Sequence, residues 1–424
     1  MRTMTLRQFL YILPLWGFSM PALSADFPKP GQLPETAGLP DPLVFMDGSR
    51  VSEKSQWPTR KAELRGLVAH YMYGRIPEKV PVESKTLFED KEAMGGLATL
   101  REVDLTLGKW ESPRIRLLIA IPNKRVGKVP AFLGINFHGN SAVLDDKRIA
   151  LPLGYLMNSA VGQKANKATD VGRGSQTADW SIEQTIKRGY AVAVFHCADV
   201  APDKPGTNEM YFAQKPNGAD KDGGGTATIS VWAWAMMRAL DHLETCPEVD
   251  ASRVASVGHS RLGKTAIVAG AFDDRFALLI PLQAGCGGTA PSRGVVGESV
   301  RQINDRFPHW FCRNFKSFNE NPKKIPFDQN SLVALCAPRP ILFANALEDN
   351  WANPDGQFEV LKAADAAYRL LSPGGLESPT IPPVGDLSPG LLGYWKRKGK
   401  HSMNAEDWKV FCDYADRYLK PSPK

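Results

Sequence analysis

Nothing in this sequence is arranged to hold a metal ion. The six cysteines (Cys197, Cys246, Cys286, Cys312, Cys336, Cys412) form no Cys-x-x-Cys pair, and the seven histidines form no cluster, so no metal is expected. Charge of one sign is not concentrated either. Lys plus Arg number 52 against 45 Asp plus Glu, and the excess of +7 is dispersed, which argues against nucleic acid as a partner. There is no internal repeat, coiled-coil period or collagen period. Beyond the first 25 residues no apolar run is long enough to span a bilayer. Disorder is excluded by a composition that is 43% hydrophobic and 23% charged, with a mean hydropathy of −0.26. The 37 glycines and 33 prolines imply many turns rather than a helical bundle.

The amino terminus reads as a processing signal. Arg2 and Arg7 precede an apolar stretch, Phe9 to Leu23, that is broken by Pro14, Gly17 and Pro21 and followed by the small residues Ser24 and Ala25. The stretch is short and interrupted, so residues 1–25 are expected to be a removable signal peptide, with an amino-terminal anchor as the alternative. The expected location is periplasmic or secreted, with no membrane attachment after removal. In an oxidising compartment the six cysteines could pair, with a connectivity that sequence does not fix. Buried free thiols in a large core are an equal alternative.

A chain of 424 residues gives a soft prior of two or three domains, but no convincing linker occurs, and one domain over 26–424 is expected. Residues 26–56 read as a wrapping arm. Leu97–Leu107 and Arg114–Ile121 alternate as an antiparallel pair, parted by Gly108 and Pro113. Val129–Phe137, Tyr190–Phe195, Arg253–Gly258, Ala277–Leu282 and Pro340–Ala346 are apolar runs of the kind buried on both faces. Helical segments fall between them: Lys61–Tyr73 first, then Ser181–Arg188, Thr226–Glu244, Arg261–Ala271, one from Gln357, and Ala405–Tyr418. Strands alternating with helices predict an α/β fold, a mostly parallel central sheet covered on both sides. Residues 139–180 and 372–400 read as surface insertions without periodicity.

The sharpest local feature is Gly258-His259-Ser260-Arg261-Leu262-Gly263-Lys264 at a strand-to-helix junction. A serine on such a turn is thrust out at the carboxyl end of the sheet, above a helix amino terminus suited to a developing oxyanion. The common elbow is G-x-S-x-G, whereas here the second glycine comes one residue later. A serine nucleophile needs a base. His401, in Gly399-Lys400-His401 before the last helix, is the expected base, because only it and His309 lie downstream of Ser260. His309, flanked by aromatics, reads as packing, and His259 as structural. The acid that orients the imidazole has two seats. Gln283, after Ala277–Leu282, cannot carry charge but could still hydrogen-bond in the site. After Pro340–Ala346 stand Glu348 and Asp349, of which Asp349 is expected and Glu348 is the reserve.

The elbow, Gly285-Cys286-Gly287-Gly288, Phe307-Pro308-His309-Trp310-Phe311-Cys312, Ala337-Pro338-Arg339-Pro340, Glu348-Asp349-Asn350-Trp351-Ala352 and Gly399-Lys400-His401 together resemble the bacterial glucuronoyl esterases, carbohydrate esterase family 15. Tyr73-Gly74-Arg75-Ile76-Pro77 and Phe137-His138-Gly139-Asn140 are similar as well. The resemblance runs through nearly all of the chain after residue 25. It implies a three-layer α/β-hydrolase sandwich that cleaves the ester between 4-O-methyl-glucuronoyl groups of glucuronoxylan and lignin alcohols. The two-step serine mechanism needs no cofactor, and a monomer is expected. The resemblance also implies that Arg261 faces the oxyanion and that Lys264, Glu298 and Trp351 bind the sugar. The chain departs from many members at Gln283, where they carry Glu. An acetyl- or feruloyl-type esterase, a peptidase, or a non-catalytic carbohydrate-binding protein on a hydrolase fold are the alternatives.

Overall fold

The computed structural model describes residues 27–108, 114–206, 220 and 222–420. The expected signal segment, residues 1–25, lies outside the described residues, as does Pro113. A sheet of strands in the order β1-β2-β3-β5-β4-β6-β7-β8-β9 runs through the molecule. The strands are β1 (Val82–Glu92), β2 (Ala98–Leu107), β3 (Arg114–Pro122), β4 (Val129–Asn136), β5 (Ala191–His196), β6 (Val249–His259), β7 (Leu278–Leu282), β8 (Ile341–Ala346) and β9 (Leu392–Arg397). β1, β2, β3 and β5 pair antiparallel in succession, and β4 through β9 are mutually parallel.

Two hydrophobic clusters sandwich this sheet, and the strand period of two divides residues between them. In β4, Ala131, Leu133 and Ile135 enter one cluster and Phe132 the other. In β8, Ile341 and Phe343 go one way, Leu342 and Ala344 the other. The first cluster is closed by α1 (Trp57–Val68), α3 (Thr228–Leu243), α4 (Arg261–Phe272), α5 (Gln329–Cys336) and α6 (Pro354–Leu371). The second is closed by α2 (Ile182–Lys187) and α7 (Ala405–Tyr418). α3 is apolar nearly all round because almost the whole helix is buried, Trp232 and Trp234 included. These are the three layers expected from the alternation of strand and helix signals.

One expectation needs correction, one element went unassigned, and one open alternative is resolved. The stretch 372–400 is not loop throughout, since it supplies β9, which pairs parallel with β8. Its Lys396 and Arg397 are buried in the strand, and each has a carboxylate, Asp355 at 2.8 Å and Asp407 at 3.0 Å, because a paired charge tolerates burial. β1 was not expected either. It is a largely exposed edge strand whose polar residues give no alternation. Of the two readings of the cysteines, the free-thiol one describes the structure, with all six buried and unpaired.

Candidate active site

The carboxyl ends of β6, β7 and β8 and the segment after β9 deliver the side chains named from the sequence to one place. Ser260 follows β6 directly, with φ +58 and ψ −124. That is left-handed space which a residue with a Cβ occupies only under strain. The surrounding packing enforces it. A Cβ on Gly258 would lie 2.0 Å from the Leu262 oxygen, and one on Gly263 would lie 2.9 Å from the Leu282 oxygen. The displaced second glycine therefore serves close approach of α4 to β7, and Leu262 is accommodated because its side chain turns into the core. Ser260 N–H donates to the Leu282 oxygen at 2.9 Å, tying the turn to the neighbouring strand.

His401 Nδ1 lies 2.6 Å from Asp349 Oδ2. The imidazole is 39% exposed and the carboxylate 4% exposed, so a buried acid holds a base on the cavity rim. Asp349 is fixed in turn, because its Oδ1 accepts from Ala352 N–H at 3.3 Å. Glu348 points elsewhere and accepts from Gly399 N–H at 3.1 Å, bracing the loop that carries His401. Gln283 does not reach His401. Its Oε1 accepts from Ser402 N–H at 2.9 Å and lies 3.0 Å from His259 Nε2. The Ser402 N–H fixes which end of the amide is oxygen, so His259 must donate from Nε2.

His259 is more than a spacer beside the nucleophile. Its ring packs 4.6 Å from that of His401. Burial, then the neighbouring His401, push its pKa down to about 3, against a smaller opposing effect of the Gln283 hydrogen bond; Arg397 and Arg261 lower it further. Buried His196, near the end of β5, is lowered to about 4, chiefly by burial. Below pH 6.5 the unfolded chain takes up protons that these folded imidazoles refuse, so stability falls as pH drops from 6.5 towards 4. His259→Gln is therefore expected to flatten the fall in melting temperature between pH 6.5 and about 4.5. Equal slopes for the two proteins would contradict this linkage.

Arg261, the first residue of α4, is held by a network the sequence did not announce. Its Nη1 pairs with Asp203 Oδ2. Asp203 Oδ1 also accepts from His309 Nε2 at 2.8 Å and Trp310 Nε1 at 2.7 Å. Burial raises the Asp203 pKa, but His309, Arg261 and Trp310 outweigh it and hold the carboxyl below its ordinary value. The guanidinium lies 4.7 Å from the Trp310 ring, 5.1 Å from Phe307 and 5.7 Å from Phe137, in cation–π range. His309 was expected to be packing only, whereas it is a hydrogen-bonding member of this bracket. The Phe307–Cys312 motif carried a signal for it. Asp203 carried none.

Lys264 is buried with Nζ donating to the Ala284 oxygen. Burial lowers its pKa, which nearby Glu298 partly restores. Burial raises the Glu298 pKa, opposed by Lys264, Arg306 and a hydrogen bond from Trp351. Trp351 is 47% exposed, an indole face open to a ligand. All eight sequence-named side chains (Ser260, Arg261, Lys264, Gln283, Glu298, Asp349, Trp351 and His401) line a single cavity of about 310 Å³. Arg306, Phe307 and Trp310, not singled out individually from the sequence, complete its wall.

A family model described as glucuronyl esterase, fungi, matches residues 176–372. The carbohydrate esterase MZ0003 of an unknown prokaryotic organism is 42% identical over 389 residues, covering 90% of this chain and 89% of that protein. A promiscuous CE15 esterase from the marine bacterial metagenome superposes with a TM-score of 0.85 at 41% identity, over 92% of this chain and 99% of the other. The glucuronoyl esterase from Solibacter usitatus superposes at 0.83 with 31% identity, over 92% and 100%. With this identity maintained along nearly the whole chain, and an esterase-like serine turn at its centre, the protein belongs to the carbohydrate esterase family 15 glucuronoyl esterases and is a carboxylic-ester hydrolase.

Proposed function

We propose that this enzyme hydrolyses esters of 4-O-methyl-glucuronoyl groups, of the kind that join glucuronoxylan to lignin alcohols, through a covalent acyl-enzyme on Ser260. The observation that carries the reading is the convergence of a serine turn, a His–Asp pair and a sugar-sized set of polar and indole groups in one cavity. His401 takes the Ser260 proton as Oγ attacks the uronoyl carbonyl. The carbonyl oxygen gains the negative charge next to Arg261, whose bracket by Asp203 and Trp310 preorganises it, as oxyanion donors must be. His401 then gives its proton to the departing alcohol oxygen, and the C–O bond breaks. Water, deprotonated by the same imidazole, attacks the acyl carbon, and glucuronate leaves with Ser260 reprotonated. Asp349 holds the imidazole with its Nε2 free for these transfers.

Lys264, Glu298 and Trp351 support a sugar as the acyl half. A cation and a carboxylate can share ring hydroxyls, and an exposed indole can stack on a pyranose face. The amino-terminal segment supports action outside the cytoplasm on a polymer too large to enter. The likeness to a promiscuous CE15 esterase favours a second reading, in which simple acetyl or feruloyl esters are also taken. Comparing kcat/KM for benzyl glucuronate and p-nitrophenyl acetate decides between them. The uronate ester is expected to be preferred, and a preference for acetate by orders of magnitude would overturn the glucuronoyl reading.

A further inference from the structure

A second cavity, of about 330 Å³, lies at the carboxyl ends of β4 and β5, the end at which open α/β sheets hold their ligands. β2 and β3 supply Asp104, Arg114 and Arg116, and His196 and Asp199 stand at the end of β5 and just beyond it. Pro152 and the exposed Leu153 form an apolar rim. No lining residue is shared with the catalytic cavity. The two are nonetheless close along one segment of chain. Arg261 of the catalytic cavity touches Met157 Sδ at 3.4 Å. Gly154, on the wall of the second cavity, precedes Met157 by three residues, at most about 11 Å of chain.

The polar groups of the second cavity leave one another unsatisfied. His196 is 1% exposed. Its Nε2 lies 3.1 Å from the Phe137 oxygen, which can only accept, so the ring proton sits on Nε2 and Nδ1 is an acceptor. No donor reaches Nδ1 among the described residues. It faces another acceptor instead, Asp199 Oδ1 at 3.8 Å, too far for a hydrogen bond. Burial pushes the Asp199 carboxyl up to about 7, against the Arg116 amide, which donates to Oδ2 at 3.1 Å, and the Arg116 charge. This carboxyl too is short of donors. On the donor side, Arg116 Nε is buried without an acceptor among the described residues, while Asp104 is engaged by Arg114 at 3.1 Å. Unmet acceptors beside an unmet donor require a ligand that both gives and takes hydrogen bonds. An anion would meet Asp199 and the imidazole lone pair, and a cation would meet Arg114 and Arg116. A neutral polyol escapes both conflicts, since each hydroxyl carries one donor and two lone pairs.

We infer that this cavity is a second, non-catalytic carbohydrate site that binds an uncharged pyranose through its hydroxyls. One hydroxyl donates to His196 Nδ1, another donates to Asp199 and accepts from Arg116, and Pro152 and Leu153 meet the C–H face of the ring. The site stands without the Ser260 chemistry. That its sugar is a xylose unit of the polymer whose ester is cut rests on the reading above. An acidic side group held by Lys264, Glu298 and Trp351, and a neutral main-chain unit held here, grip one polymer at two points and so raise its avidity.

The test titrates xylotriose, cellotriose and glucuronate into the enzyme by isothermal calorimetry. Wild type, Arg116→Met, Asp199→Asn and Trp351→Ala are compared after melting curves show each to be folded. Xylotriose is expected to bind the wild type and to bind Arg116→Met and Asp199→Asn about ten-fold or more weakly. Its affinity is expected to persist in Trp351→Ala, whose change lies in the catalytic cavity, and glucuronate is expected not to displace it. Arg116 is only half-buried, so its variant carries the test should Asp199→Asn fail to fold. Three results would overturn the site: no binding of either trisaccharide at tens of millimolar, affinities unchanged in both cavity variants, or displacement by glucuronate. Cellotriose binding that the cavity variants weaken, with no binding of xylotriose, would keep the neutral-sugar site and detach it from the polymer of the proposed reaction.

Discussion

Ser260→Ala is expected to lower kcat on a glucuronate ester by about 10⁶-fold, the scale seen when the nucleophile of a serine hydrolase is removed. The argument is local. Ser260 is the only hydroxyl on the strained turn at the cavity floor, and Arg261 and His401 flank it in that cavity. Any remaining rate would come from binding and oxyanion stabilisation acting on water. The substitution is also a clean one for the fold. Alanine carries the same Cβ into the same positive-φ backbone, and Ser260 is held through its N–H to Leu282, which alanine retains. The melting temperature should therefore stay at or above that of the wild type. A fluorophosphonate probe should label the wild-type protein and leave the variant unlabelled. Wild-type protein that resists the probe would instead return the chain to the non-catalytic, carbohydrate-binding class. Activity surviving in the variant would place the nucleophile elsewhere.

How far the sequence reaches depends on whether the relevant contact is local. The buried parallel strands were legible because burial on both faces writes a continuous apolar run, as in Val129–Asn136. The nucleophile turn was legible because its first glycine answers to a neighbour within a few residues, Gly258 to Leu262. Asp349 was reachable by its place after the recognisable strand β8, and His401 by chain order and its place before the last helix. What failed to show was burial compensated at a distance. β9 contains Lys396 and Arg397, whose partners Asp355 and Asp407 lie on two different helices, so no local pattern marks it as a buried strand. Asp203 lies in a segment without periodicity, and its tie to Arg261, His309 and Trp310 spans residues that only the fold brings together. Gln283 was placed in the site but its partners were not. Without a charge it settles on His259 and the Ser402 amide instead of the base. Family resemblance marked the Phe307–Cys312 segment without revealing that His309 works through Asp203.

Asp349→Asn should cost about 10⁴-fold in kcat, because an asparagine at this seat leaves the geometry nearly intact while favouring the wrong imidazole tautomer. The carboxylate accepts from Nδ1–H and leaves Nε2 as the proton acceptor. An amide can present its NH₂ to Nδ1 instead, which moves the ring proton to Nε2 and blocks uptake of the Ser260 proton. Neither neighbouring candidate has this leverage. Glu348 reaches only the Gly399 amide, so Glu348→Gln, which keeps an acceptor there, should leave kcat within a few-fold. Gln283→Ala removes the acceptor for His259 and Ser402, leaving two donors unsatisfied beneath the base. That costs stability, on the order of 1–3 kcal/mol for an unsatisfied buried group, and a modest part of kcat through looser placement of His401. The decisive quantity is the order of the two effects, measured by steady-state kinetics on proteins shown to be folded. A larger kcat loss from Gln283→Ala than from Asp349→Asn would move the orienting role to β7 and leave Asp349 as a cap for the helix turn Asn350–Ala352. The opposite order follows if the 2.6 Å contact between Asp349 and His401 is the one that selects the tautomer.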